Sequence, residues 1–118
     1  MVSRETYKVD TINQLGFVAG LAALSATFFQ TRSARYEQFG FQMKLSRENF
    51  ELLELVRHVI GIKTKVNLYA EGSTTYALLN TRSKKILLTR VIPFMDQYLR
   101  GPKLKNYLLW KESLINSV

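Results

Sequence analysis

The sequence predicts an α+β fold in the order α-β-β-α-β-β-α-α. Two periodicities carry this prediction. Phe39, Phe41, Met43 and Leu45 alternate with Gln38, Gly40, Gln42 and Lys44, a period of two that marks a half-buried strand. Phe50, Leu52, Leu53, Leu55, Val56, Val59 and Ile60 instead repeat at helical spacing, as a helix packed on a sheet requires. A chain of 118 residues is long enough for one hydrophobic core and too short for two ordinary domains, so residues 1–118 are read as a single domain.

The first helix is expected from about Thr11 to about Leu24, with Asp10 accepting from its unpaired amides and its charge favoured at that end. Gly16, Gly20 and Leu24 fall four residues apart, and Ala19 and Ala23 lie beside the same face, which therefore admits a second backbone at close range. Thr27, Phe28, Phe29 and Thr31 read as the first strand and Tyr36 to Leu45 as the second, turning Gln38, Gln42 and Lys44 away from the core. Ser46 is expected to cap the second helix and Gly61 to end it. Lys63 to Ala70 and Thr74 to Asn80 read as a hairpin around Glu71-Gly72-Ser73, with Lys63, Lys65, Asn67 and Tyr69 on one face of its first strand. Ser83 caps a further helix through Leu87, Leu88, Val91 and Ile92, interrupted at Pro93, which has no amide hydrogen to donate. A basic loop, Arg100 to Lys105, leads to a last amphipathic helix in which Tyr107 and Trp110 are core; His58 is read as a surface residue.

Seventeen Lys and Arg against nine Asp and Glu leave a net charge of +8 and a pI of about 9.9, which points to a polyanionic partner such as nucleic acid. The absence of Cys removes disulfides, thiolate metal sites and cysteine nucleophiles, and the single His58 argues against a histidine metal site or a Ser/His triad. No resident metal or cofactor is expected, and an intracellular location fits. Leu15 to Phe29 is uncharged and mostly apolar but falls short of the roughly 20 residues of a membrane span. Glu5 and Asp10 ahead of it, and the bulky residue in Leu24-Ser25-Ala26, argue against a cleaved export signal, so no membrane partner is expected.

Phe17-Val18-Ala19-Gly20-Leu21-Ala22-Ala23-Leu24-Ser25-Ala26-Thr27-Phe28 resembles the signature helix of LAGLIDADG homing endonucleases and their intron-encoded maturase relatives. Phe41-Gln42-Met43-Lys44-Leu45 with the helix after it, the hairpin ending in Tyr76, Ile92-Pro93-Phe94-Met95 and Tyr107-Leu108-Leu109-Trp110-Lys111-Glu112 resemble the family in order and spacing. The resemblance covers nearly the whole chain. It implies an αββαββα unit with a final helix added, in which a four-stranded antiparallel sheet forms a saddle. Members with one motif pair through this helix, here through Gly16, Ala19, Gly20 and Ala23, so that two four-stranded sheets straddle duplex DNA in its major groove. Arg32, Arg35, Gln38, Gln42, Lys44, Lys63, Lys65 and Asn67 offer the guanidinium, amide and ammonium donors that contact phosphates and base edges. Such a sheet would otherwise leave one wide face uncovered by any helix.

The chain departs from the family where cutting is done. In active members the helix ends in an Asp or Glu that binds divalent metal; aligning Val18-Ala19-Gly20-Leu21 with the start of the motif puts Ser25 there and Ala23 at the earlier acidic position. A serine hydroxyl is a neutral, weak metal ligand, so the site loses its charge as well as a ligand. Asp10 lies about 15 residues, roughly 22 Å, back along the helix and cannot stand in. By resemblance Gln42 matches a strand Gln that orders active-site water in some members, and Lys103 or Lys105 matches a basic residue near the scissile phosphate. Without the acid these three are expected to bind phosphate rather than to catalyse.

The expected function is a nucleic-acid-binding protein derived from a homing endonuclease, gripping DNA or structured RNA without cutting it. Two alternatives stay open. One is a Mg²⁺-dependent site-specific DNA endonuclease whose acid comes from elsewhere, or whose Ser25 is an inactivating change. The other is a structural subunit of a ribonucleoprotein such as a ribosome, with the small-residue face set on another protein. The expected partners are nucleic acid and either a second copy or a larger assembly, in an intracellular setting that includes a mitochondrion or chloroplast.

Overall fold

The computed structural model describes residues 11–33 and 35–118, and Asp10 with its expected capping role lies outside them. Helix α1 (Thr11–Ser25) buries Val18, Ala19 and Ala22 and passes directly into strand β1 (Ala26–Arg32), where Ala26 is also buried. These side chains are small, so the helix sits close to the later helices at Phe50–Ile60, Ile92–Tyr98 and Lys103–Asn116 and to the sheet. Strand β2 (Glu37–Ser46) returns antiparallel to β1, with Phe28 opposite Phe41 and Ala26 opposite Met43. A tight turn at Arg47–Asn49 leads into α2 (Phe50–Ile60), which buries Leu53, Val56 and Ile60. Gly61 closes that helix with φ of 91°, a backbone conformation that glycine adopts without steric cost.

Ser46 does not cap α2 as expected. Its side chain makes no capping bond and accepts instead from Asn49 Nδ2 at 3.0 Å, because the extra turn pushes the start of the helix on to Phe50. The hairpin also starts later than its pattern suggested. Strand β3 runs Asn67–Glu71 and β4 Thr74–Thr81, leaving Lys63 and Lys65 in the segment before the sheet. Arg57 is the reason: its guanidinium donates to the carbonyls of Lys63 and Thr64 at 3.2 and 2.9 Å, while Ile62 and Val66 anchor the segment in the core. Carbonyls held by α2 are not presented to a neighbouring strand.

The sheet order is β1-β2-β4-β3, antiparallel throughout. Register divides its faces. Ala26, Phe28, Phe39, Phe41, Met43, Ala77 and Leu79 share the side that the helices cover, and all but the half-buried Phe28 are buried. Beyond β4, Ser83 Oγ accepts from the amide of Ile86 at 3.3 Å and caps α3 (Lys84–Ile86) as expected. A π-helical turn at Leu87–Val91 then joins α4 (Ile92–Tyr98), with Pro93 in its first turn, where a missing amide hydrogen costs least. Helix α5 spans Lys103–Asn116, so Lys103 and Lys105 lie in its first turn rather than in a loop. No helix among the described residues is long and apolar enough to cross a membrane.

Helix α5 locks onto the sheet through aromatics. Tyr107, Trp110, Phe28 and Phe41 form one tilted cluster, with Phe28 5.0 Å from Tyr107 and 5.1 Å from Trp110 between ring centroids. Trp110 Nε1 donates to the carbonyl of Phe29 at 3.0 Å, and the Tyr107 hydroxyl donates to Asp96 Oδ1 at 2.7 Å. Burial is the main force pushing the Tyr107 phenol far above its ordinary range, with Asp96 adding to it. For Asp96 itself partial burial acts upward, but hydrogen bonds from Lys111 and Tyr107 prevail and hold the carboxyl below its usual range.

That depression fixes a pH dependence. A carboxyl with a lowered folded-state pKa stabilises the fold when ionised, so its contribution is present above the unfolded value of about 3.9 and fades as pH falls through the folded one. Asp96→Asn is expected to be less stable than the parent at pH 7, with the gap shrinking toward pH 3 in urea titrations. A gap that widens on acidification would contradict this assignment.

Candidate nucleic-acid interface

The face opposite the helices is open, and the strand register arranges it in rows. Thr31 stands opposite Gln38, and Phe29 opposite Gly40. Thr27, Gln42 and Asn80 form the next row, then Lys44, Leu78 and Asn67, then Ser46, Tyr76 and Tyr69. Apart from Gly40, none of these residues is buried. The centre of the face is therefore a field of amides and hydroxyls, and apolar surface enters it at Phe29, Leu78 and the two tyrosines.

Two cations project from this face. Lys44 Nζ lies 2.9 Å from Glu71 Oε2, 4.3 Å from the ring centre of Tyr76 and 5.6 Å from that of Tyr69. Tyr69 and then Glu71 raise its pKa above the ordinary lysine range. Arg82 follows directly after β4, stacks 5.3 Å from the ring centre of Phe29 and donates from Nη1 to Gln38 Oε1 at 3.0 Å. Glycine at position 40 makes this possible, because a Cβ there would fall within the Phe29 ring.

Gln38, Gln42, Lys44 and Asn67 thus share the open face. Arg32 does not point with them: its register partner is Glu37, on the helix-side parity, and Nε lies 3.6 Å from that carboxylate. Gln30 Nε2 donates to the same Glu37. Arg35 sits in the turn between β1 and β2, and Lys63 and Lys65 are exposed in the segment ahead of β3, so none of the three belongs to a strand. Arg82 and its Phe29 support were missed in the sequence. Counting on by two from Asn80 would have found the arginine, had the strand been carried two residues further.

At one end of this face α1 meets β1. Ser25 is the last residue of the helix, and two residues on Thr27 pairs with Gln42, which pairs in turn with Asn80. The junction is lined by neutral donors. Along α1, Gly16 and Gly20 are exposed, with nothing within 4 Å of a Cβ added at either. Ala23 is half-buried, whereas Ala19 is only 8% exposed and belongs to the chain's own core. The open strip is bordered by Phe17 and by Leu24, which is 82% exposed.

Known structures share this architecture. The I-LtrWI LAGLIDADG homing endonuclease, solved bound to target DNA, is similar over 87% of this chain and 37% of its own, with 19% identity and a TM-score of 0.73. I-GzeII, solved in complex with its DNA target, matches at 20% identity over 86% of this chain and 36% of its own, with a TM-score of 0.74. The group I intron-encoded homing endonuclease I-CeuI, complexed with DNA, matches at 21% identity over 86% of this chain and 54% of its own, with a TM-score of 0.71. The chain therefore spans between about a third and a half of the length of these neighbours. No curated protein matches it. The profile of the LAGLIDADG endonuclease family covers residues 15–114, from α1 to the last turns of α5, and the chain belongs to that family.

Proposed function

We propose that this chain grips duplex DNA with the open face of its sheet and does not cut it. The α1–β1 junction carries the reading. Ser25 and Ala23 stand where the resemblance expects carboxylates, while the row of donors that begins at Thr27 is complete. Mg²⁺ is held by carboxylates together with water and phosphate, and neither Ser25 nor Ala23 supplies one. Gln42, Lys103 and Lys105 then serve to bind rather than to cut. Groove shape favours DNA: side chains reach base edges in the wide B-form major groove, whereas the deep, narrow groove of A-form RNA keeps them out. I-LtrWI, I-GzeII and I-CeuI were each solved in complex with DNA, which supports the same choice.

The open strip of α1 seats a second unit of this fold, in a homodimer or a larger assembly, and an intracellular setting accords with a DNA target. Two measurements test the proposal. Incubated with plasmid and Mg²⁺, the chain is expected to leave DNA intact, and cleavage by the unaltered protein would refute it; Ser25→Asp is the comparison that asks whether the missing acid is all that is lacking. Binding to duplex DNA is expected to need no divalent metal and to weaken steeply with salt. About four phosphate contacts would cost roughly 100-fold in affinity between about 50 and 200 mM. Binding that hardly changes over that range would count against the sheet as a DNA grip.

A further inference from the structure

We infer that Arg82, held by Phe29, Gly40 and Gln38, is a guanine-reading residue, so that the target contains a guanine facing this point of the sheet. The inference rests on the DNA-binding reading above. Four features of the site support it.

The guanidinium is held in place before any ligand arrives. Phe29 would ordinarily stand upright beside a side chain on β2, but position 40 has none, so the ring lies across the strand and fills the gap. Arg82 rests on that ring, at 5.3 Å from its centre, and Gln38 Oε1 accepts from its Nη1 at 3.0 Å. A flat support and a lateral hydrogen bond fix the fork, where an unsupported surface arginine would have to be ordered on binding.

Its charge is also unspent. Lys44 is tied to Glu71 and Arg32 to Glu37, whereas Arg82 has no carboxylate partner among the described residues. Arg82 is exposed and only its Nη1 is engaged, by Gln38 Oε1, so the rest of the fork and Gln38 Nε2 are left to donate. A guanidinium presents donors only, which matches the guanine edge in the major groove, where O6 and N7 both accept; adenine offers one acceptor beside an amino donor.

Position distinguishes a base reader from a phosphate clamp. The sheet runs β1-β2-β4-β3, so β2 and β4 are its inner pair, and Arg82 reaches across β2 from the end of β4. Four strands at about 4.8 Å spacing span a width close to that of the major groove, roughly 12 Å, which puts the inner pair over base edges and leaves the outer strands and turns to the phosphates.

The test is selection from a duplex library with a randomised core, sequenced after binding to the unaltered chain, Arg82→Ala and Gly40→Ala. The parent is expected to select a site with a fixed guanine. Arg82→Ala should lose preference at that one position per bound unit, by about 10- to 100-fold, and keep the rest of the site. Gly40→Ala should reproduce the same single-position loss by displacing the ring beneath an intact arginine, with a melting curve verifying that the fold is kept. Uniform weakening at every position in Arg82→Ala would make the residue a phosphate contact and overturn the inference while leaving the DNA-binding reading in place. An unchanged site would overturn it likewise. Failure of the parent chain to bind any duplex would defeat both, and selective binding to RNA would do the same.

Discussion

Tyr107→Ala is expected to lower the unfolding free energy by about 3–5 kcal/mol, a large share of the roughly 5–15 kcal/mol that holds a domain together. Tyr107 is fully buried, and its ring packs on both Phe28 and Trp110, so the change opens a hole where α5 meets the sheet. The hydroxyl is a smaller part of the effect. Asp96 keeps Lys111 at 2.7 Å when the phenol is removed, so Tyr107→Phe should cost only about 1 kcal/mol. Urea titrations of the two variants at neutral pH give both numbers. If the alanine variant costs less than the phenylalanine one, α5 is not anchored by this cluster.

The second large effect concerns association. Gly20→Leu is expected to weaken pairing at least about 30-fold, since overpacking costs about 1–3 kcal/mol per site and a symmetric interface contains two. In the isolated unit the opposite sign applies to a smaller change: nothing lies within 4 Å of a Cβ at Gly20, so Gly20→Ala should gain about 0.5–1 kcal/mol by stiffening an exposed helical glycine. Sedimentation of the parent and the leucine variant, beside melting curves of dilute alanine variant, reads the two effects separately. An unaltered chain that stays monomeric at every concentration would remove the symmetric pair and leave the strip for a different protein.

Most of the architecture was legible because side-chain period and turn chemistry agree along this chain. The alternation in Phe39–Leu45, the helical spacing in Phe50–Ile60 and the stop at Gly61 all reappear in the fold. What could not be read depends on contacts distant in sequence. Lys63 and Lys65 alternate like strand residues, yet Arg57 had already taken the neighbouring carbonyls. In β1 the aromatics Phe28 and Phe29 face opposite sides, so period alone does not say which side is core; the answer lies in Gly40, across the ladder. The same reversal puts Arg32 beside Glu37 and leaves the open face to Arg82.

Residue 29 is gripped from both sides of the sheet. On the open side its ring supports Arg82, and from behind its carbonyl accepts the indole N–H of Trp110, the chain's single tryptophan. Trp110 is 5% exposed and its indole packs against Phe28 and Tyr107, so short-wavelength emission is expected, with no second tryptophan to overlap it. Because the peptide group of Phe29 accepts from the indole, a ligand that shifts the Phe29 ring is expected to change the tryptophan emission, which a fluorescence titration with DNA would read. One hydrogen bond thus separates the single tryptophan from the residue that supports Arg82.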